Sequence, residues 1–235
     1  MLTPMPPLTL PEELLLLCAD PGTGRVDLPP CLDEMVGGAV LAELRLAGAI
    51  AVDGRYITEV RPTATGDVLV DRALGELSRT AKGGRPQRLR RSVRRTSDRA
   101  ARRYLESLTA RGLLSAAPTR VLGIFRSTRY TVSRPERTSD LLARLYPVLH
   151  PHSQVAGPAG VADGVAEADG RAVQLAALAG AGGLDRRLFE GPGRRERRRR
   201  VRALTLADPI ASAVRRESRR EDFLSSFLGY LFAGG

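Results

Sequence analysis

The chain contains no tryptophan, and its aromatic fraction is only 4% of 235 residues. Leucine, valine and alanine must therefore fill most of the core, within an apolar fraction of 43% that suffices for a folded domain. Cysteine is nearly as scarce. Cys18 and Cys31 lack the paired spacing of a zinc module and the density of a disulfide scaffold. A reducing, cytoplasmic setting is the simplest expectation, and a bridge between the two is not indicated. No apolar run approaches the roughly 18 residues that cross a bilayer. The short run from Leu14 to Cys18 follows Glu12 and Glu13 rather than the basic residues of a signal sequence. Such a chain meets a membrane, if it meets one, from one side.

Catalytic patterns are missing too. There is no nucleophile elbow, phosphate-cradling glycine loop or zincin helix. The two histidines, His150 and His152, flank Pro151 with no cysteine or carboxylate beside them, which reads as a turn rather than a metal site. Asp67 and Asp71 stand one helical turn apart, but behind Thr65-Gly66 they read as first-turn acids drawn to the positive end of a helix. The expectation is a binding protein with no metal, no cofactor and no catalytic residue.

Acidic residues are outnumbered, 26 against 37 basic, for a net charge of +11. The excess comes in blocks. Eleven Lys/Arg face one Asp between Arg79 and Arg103, and seven Arg face one Glu between Arg194 and Arg202. Blocks of this kind suit a polyanion, either nucleic acid or an anionic lipid surface, and they also occur as plain solvated helix faces.

Residues 1–8 are Pro-rich and read as a flexible lead. Thr9, Pro11, Glu12 and Glu13 then make a helix start: an N-cap hydroxyl, an early proline, and acids at the positive end. A second helix is expected from about Asp33 to Ala47, a hairpin with Asp53-Gly54 at its turn, and a short helix from Asp67 to Leu77. Residues 82–86 break the chain. Later helices are expected over 138–149, 172–181, the basic segment up to Thr205, and from Asp208-Pro209 to Arg219, with a loose Gly/Ala connection at 154–170. The tail, 221–235, holds three Phe and one Tyr and is either a core-docked end or an exposed contact. A weak repeat links Leu41, Leu44, Gly48 and Ile50 to Leu105, Leu108, Gly112 and Leu114, at an offset of 64 residues. In both copies a Leu pair shares a helix face, a glycine ends the helix, and a hairpin follows.

The second copy lies in the stretch Ser97 to Val132, which combines charge with exposed apolar character. Arg99, Arg102 and Arg103 crowd the start of a helix, with Arg90 and Arg91 upstream, and all five are candidate head-group contacts. The hairpin, with strands around Thr119–Val121 and Phe125–Val132, has the tip Val121-Leu122-Gly123-Ile124-Phe125. Apolar residues at a turn are a liability in water. Burial in lipid, in the protein's own body, or against a second copy would each relieve it.

Three segments resemble the Golgi phosphoprotein 3 family, including its bacterial members. They are Leu8-Thr9-Leu10-Pro11-Glu12-Glu13 with its Leu run, Leu41-Ala42-Glu43-Leu44-Arg45-Leu46-Ala47-Gly48, and Thr65-Gly66-Asp67-Val68-Leu69-Val70-Asp71-Arg72-Ala73-Leu74. The resemblance implies a mainly α single domain, a helix bundle wrapped by amphipathic helices, with short β-hairpins of which one protrudes and inserts into a bilayer. It also implies a pocket for the phosphate of phosphatidylinositol 4-phosphate, and client glycosyltransferases. The family's pocket Trp and first pocket Arg fall on Leu28 and Gly37 here, while its two later arginines are matched by Arg99 and Arg102 with a one-residue gap.

The reading is therefore one domain over 9–220 between the lead and the tail. Its function would be that of a peripheral protein on the inner, cytoplasmic face of a membrane, binding anionic or phosphoinositide lipids, with client proteins as further partners. The alternative is a winged-helix nucleic-acid binder, which the charge and the order helix, glycine, hairpin allow. The apolar wing tip argues against phosphate contact.

Overall fold

The computed structural model describes residues 7–81, 85–121, 125–150, 169–184 and 193–219. Among the described residues, eight helices are α1 (Leu10–Leu17), α2 (Leu32–Leu46), α3 (Val68–Thr80), α4 (Leu89–Thr96), α5 (Ala100–Ala110), α6 (Pro135–Leu149), α7 (Gly170–Ala181) and α8 (Arg194–Ala207). A ninth, α9, covers 209–219. The strands are β1 (Ile50–Asp53), β2 (Tyr56–Val60), β3 (Gln87–Arg88), β4 (Leu114–Val121) and β5 (Phe125–Val132), in two small antiparallel sheets ordered β1-β2-β3 and β4-β5. The fold is mainly α with short hairpins, as expected; β3 is an addition that the sequence reading did not contain. Residues 1–6 of the lead, most of the Gly/Ala connection and the tail lie outside the described residues.

The bundle is built around α2, which packs on α1, α3, α4, α5 and α7. Apolar residues run round almost its whole circumference, with Met35, Val36, Ala39, Leu41, Ala42 and Leu44 fully buried, the pattern of a central rather than a surface helix. Gly37 and Gly38 let neighbours come close. A Cβ at Gly38 would sit 2.2 Å from Val214 of α9. Against α2 lies α1, whose five leucines are at most 2% exposed. Burying each contributes about 1.5–3 kcal/mol relative to exposure.

The repeat extends to individual hydrogen bonds. Ala47, Gly48 and Ala49 donate to the carbonyls of Glu43, Arg45 and Leu44, and 64 residues on, Arg111, Gly112 and Leu113 donate to those of Ser107, Thr109 and Leu108. Gly48 and Gly112 have φ of +69° and +70°, the left-handed turn that glycine adopts without strain. In each copy the chain leaving the hairpin bonds back to the residue after that glycine: Arg61 to Ala49 and Ser133 to Leu113. The first hairpin turns one residue later than its Asp-Gly pair suggests. Asp53 pairs with Tyr56, so Gly54 (φ +51°) and Arg55 form the loop.

Strand β4 begins at Leu114, five residues earlier than the sequence suggests, and pairs in register with β5 from Leu114↔Val132 to Val121↔Phe125. Leu114 and Val132 are buried, whereas Ser115 to Pro118 and Ser127 to Arg129 are exposed on both faces of the ribbon. The hairpin therefore leaves the body of the protein just beyond its base. That base is gripped by the segment after α1, through Val26 N–H to Tyr130 O and Val132 N–H to Gly24 O.

Candidate functional site

The arginines singled out in the sequence fall on two helices rather than one. Leu89, Ser92, Val93 and Thr96 are buried at helical spacing, so the segment upstream of Ser97 is itself a helix, α4, and Arg90, Arg91, Arg94 and Arg95 are turned outward. That apolar spacing was the signal available for finding α4. Ser97, Asp98 and Arg99 make the corner into α5. Arg99 is the one non-glycine residue with positive φ among the described residues, at +51°. Its left-handed conformation directs the chain from α4 into α5 and leaves its side chain exposed.

Counter-charges sort these arginines into two groups. Arg90 pairs with Glu217 of α9, Arg102 with Glu106 at 2.8 Å, and Arg103 with Asp98 at 3.5 Å. The Glu106 hydrogen bond, then its charge, raises the Arg102 pKa, and Tyr130 of β5 lies near enough to act on the same group. The side chains of Arg91, Arg94, Arg95 and Arg99 have no hydrogen-bond or ion-pair partner among the described residues. At i, i+3 and i+4, the first three share one face of α4. The open cationic surface is therefore α4 and its corner, with Arg102 and Arg103 as paired neighbours leading toward the hairpin. Val121 and Phe125 close that hairpin's ladder, and Leu122, Gly123 and Ile124 lie outside the described residues.

At the position of the family's first pocket arginine, Gly37, a side chain has no room in this chain. A Cβ at Gly37 would stand 2.5 Å from Ser97 Oγ, 2.8 Å from its N and 2.9 Å from its Cα. Glycine is needed there for the α4–α5 corner to sit on α2, and Thr96 Oγ1 ties the corner down by donating to Gly37 O at 3.0 Å. The first turn of α5 is occupied as well, since Ala101 N–H donates to Asp33 Oδ1 at 2.8 Å. A carboxylate holds the place where an anion would dock on a helix N-terminus. Leu28, at the Trp position, is 47% exposed.

Two of the motif segments turn out to act as ties. Asp67 caps α3, accepting from Leu69 and Val70 N–H at 2.9 Å each, and Asp71 accepts from the N–H and hydroxyl of Thr65 at 2.7 Å each. Burial is the largest single influence on the Asp71 carboxyl and pushes it upward, but these bonds and one from Gly66 together outweigh it and hold the carboxyl below its ordinary value. Both acids thus serve the helix start, as read from the sequence. Glu12 and Glu13 do more than face a helix end. They are 1% and 2% exposed. Glu12 accepts from Thr9 N–H at 3.0 Å and pairs with Arg111, while Glu13 binds Arg144 at 2.8 Å and Arg171 at 3.0 Å. Arg171 continues to Glu43 at 3.1 Å and Leu8 O at 2.6 Å. This hub joins α1, α2, α6, α7 and the end of α5 along a cleft of about 860 Å³, where Arg111, Arg144 and Arg171 are each paired with an acid. Burial pushes the Glu12 carboxyl above its ordinary value despite the Thr9 bond and the Arg111 charge.

Compared with known families, residues 10–220 match the one described as Golgi phosphoprotein 3 (GPP34). No curated protein matches the chain. Among the described residues no helix is long and apolar enough to cross a membrane.

Proposed function

Because the chain belongs to the Golgi phosphoprotein 3 family, we propose that it is a peripheral membrane protein binding anionic or phosphorylated lipid head groups on a cytoplasmic membrane face. The observation that carries this reading is the open row Arg91, Arg94, Arg95 and Arg99, without counter-charges among the described residues, on the helix pair that leads into the projecting hairpin. Each basic residue close to an anionic surface contributes about 1 kcal/mol, so the four together shift partitioning by roughly a thousandfold. The hairpin tip, Val121 to Phe125, adds an apolar anchor. Arg90, Arg102 and Arg103 assist from behind their acidic partners.

Recognition is of charge density more than of a single phosphate, since the position of the family's first pocket arginine is filled by the Gly37–Ser97 contact. Flotation with phosphatidylcholine vesicles, with and without phosphatidylserine, tests the reading. Wild type should float with the anionic vesicles and be released by salt. Glutamine at positions 91, 94, 95 and 99 should abolish flotation, and serine at 122, 124 and 125 should weaken it without lowering the melting temperature. Flotation of the quadruple glutamine variant at wild-type level would refute the assignment.

A further inference from the structure

A cleft of about 460 Å³ opens where the first hairpin, the start of α4 and α9 meet. Two ties hold its sides. Leu89 N–H, at the first residue of α4, donates to Arg55 O in the hairpin loop at 2.9 Å, and Arg90 of α4 pairs with Glu217 of α9. Tyr56 of β2 stands opposite Arg88 of β3, so the two side chains project from one face of the sheet. On the other side, Pro209, Ala213 and Arg216 follow one another at i, i+4 and i+7 along α9. The walls therefore combine the guanidinium groups of Arg55, Arg88, Arg90 and Arg216 with a tyrosine that is 40% exposed. Arg88 and Arg90 flank the first residue of α4, the positive end of the helix, where a cation is disfavoured. Asp53, opposite Tyr56 on β1, stands on the same face of the sheet outside the cleft walls.

We propose that this cleft binds a nucleoside phosphate, with the base stacked on Tyr56 and the phosphate held by Arg88 and Arg216. Guanidinium forks take phosphate oxygens in paired N–H···O bonds, and an aromatic face accepts any base. Phosphate alone uses only the arginines, and an uncharged aromatic only the tyrosine; a nucleoside phosphate uses both. Arg90, committed to Glu217, shapes the wall between them. The volume falls within the roughly 300–1,000 Å³ of small-ligand sites. Arg91, Arg94, Arg95 and Arg99 take no part, so the inference stands apart from the lipid-facing surface. The same chemistry reaches the cleft from a free nucleotide or from the phosphorylated end of a nucleic-acid strand.

Calorimetric titration of the full chain with ADP and with pyrophosphate, at constant ionic strength, tests the site. Wild type should bind ADP saturably, and pyrophosphate at least about fivefold more weakly because the base contact is missing. Arg88→Gln/Arg216→Gln should weaken ADP binding at least about tenfold. Both side chains are exposed, so this variant should melt with wild type. Tyr56→Ala should lose the preference for ADP over pyrophosphate, and Tyr56→Phe, which keeps the ring, should retain it. Arg91→Gln/Arg94→Gln should leave ADP affinity unchanged. Competition with a 5′-phosphorylated deoxyhexanucleotide separates the sources. Displacement of bound ADP at a lower concentration than unlabelled ADP requires assigns the cleft to strand ends, and displacement only at a higher one assigns it to free nucleotide. Absence of saturable ADP binding by wild type would overturn the proposal. So would equal ADP binding by wild type and Arg88→Gln/Arg216→Gln, or pyrophosphate bound by wild type as tightly as ADP.

Discussion

Gly37→Ala adds one methyl group at the tightest contact behind the lipid-facing surface. The new carbon would stand 2.5–2.9 Å from three atoms of Ser97, two of them backbone. Ordinary contact begins near 3.4 Å, so the corner must retreat by about half an ångström or more. It is poorly free to do so. Ser97 N–H and Oγ are both held by Val93 O, at 2.9 and 2.7 Å, and Thr96 is bonded to Gly37 itself. Overpacking of this kind costs about 1–3 kcal/mol, occasionally more, while alanine's helix propensity returns about 1 kcal/mol. The expected net loss is about 0–2 kcal/mol, or a melting temperature lower by up to about 8 °C for a chain of this size. Gly75, in the middle of α3, is the control: nothing lies within 4 Å of its would-be Cβ. Gly75→Ala should therefore stabilise by about 0.5–1 kcal/mol. Thermal unfolding followed by far-ultraviolet circular dichroism reads both. A Gly37→Ala variant as stable as Gly75→Ala would refute the argument that this contact closes the pocket position.

Arg99→Gly should relieve the left-handed strain at φ +51° and raise stability by up to about 1 kcal/mol, yet weaken flotation with anionic vesicles; a variant that melts lower would show that the Arg99 side chain holds the corner. Glu12 gives a pH signature. Its folded pKa lies above the ordinary 4.5 because of burial, so its favourable contribution is complete below that value and is lost as pH rises through the elevated one. Glu12→Gln, which keeps an oxygen for Thr9, should therefore show a flatter stability profile than wild type as pH rises above the ordinary value of 4.5; parallel profiles in urea unfolding would refute the shift.

Local chemistry was legible in the sequence because the groups involved lie within a few residues of one another. Asp67 caps α3 using N–H groups two and three positions on, and Gly48 and Gly112 end their helices through bonds spanning three to five residues. The same kind of local pattern, Leu stripes broken by glycine and proline, specified a mainly α chain. The hairpin's place could be read too, although its first strand begins at Leu114, five residues before the sequence suggests. Counter-charge was not legible. Arg90 and Arg91 are neighbours in the chain, yet only Arg90 is paired, because α9 brings Glu217 from 127 residues away. Glu12 and Glu13 read as helix-end acids until α5, α6 and α7 delivered Arg111, Arg144 and Arg171 to them. The need for glycine at position 37 depends on the Ser97 backbone, which reaches α2 only in the assembled bundle. Conformational preference acts through nearest neighbours and is written along the chain. Burial and net charge at a site depend on which distant helices pack there, and the tertiary structure alone decides them.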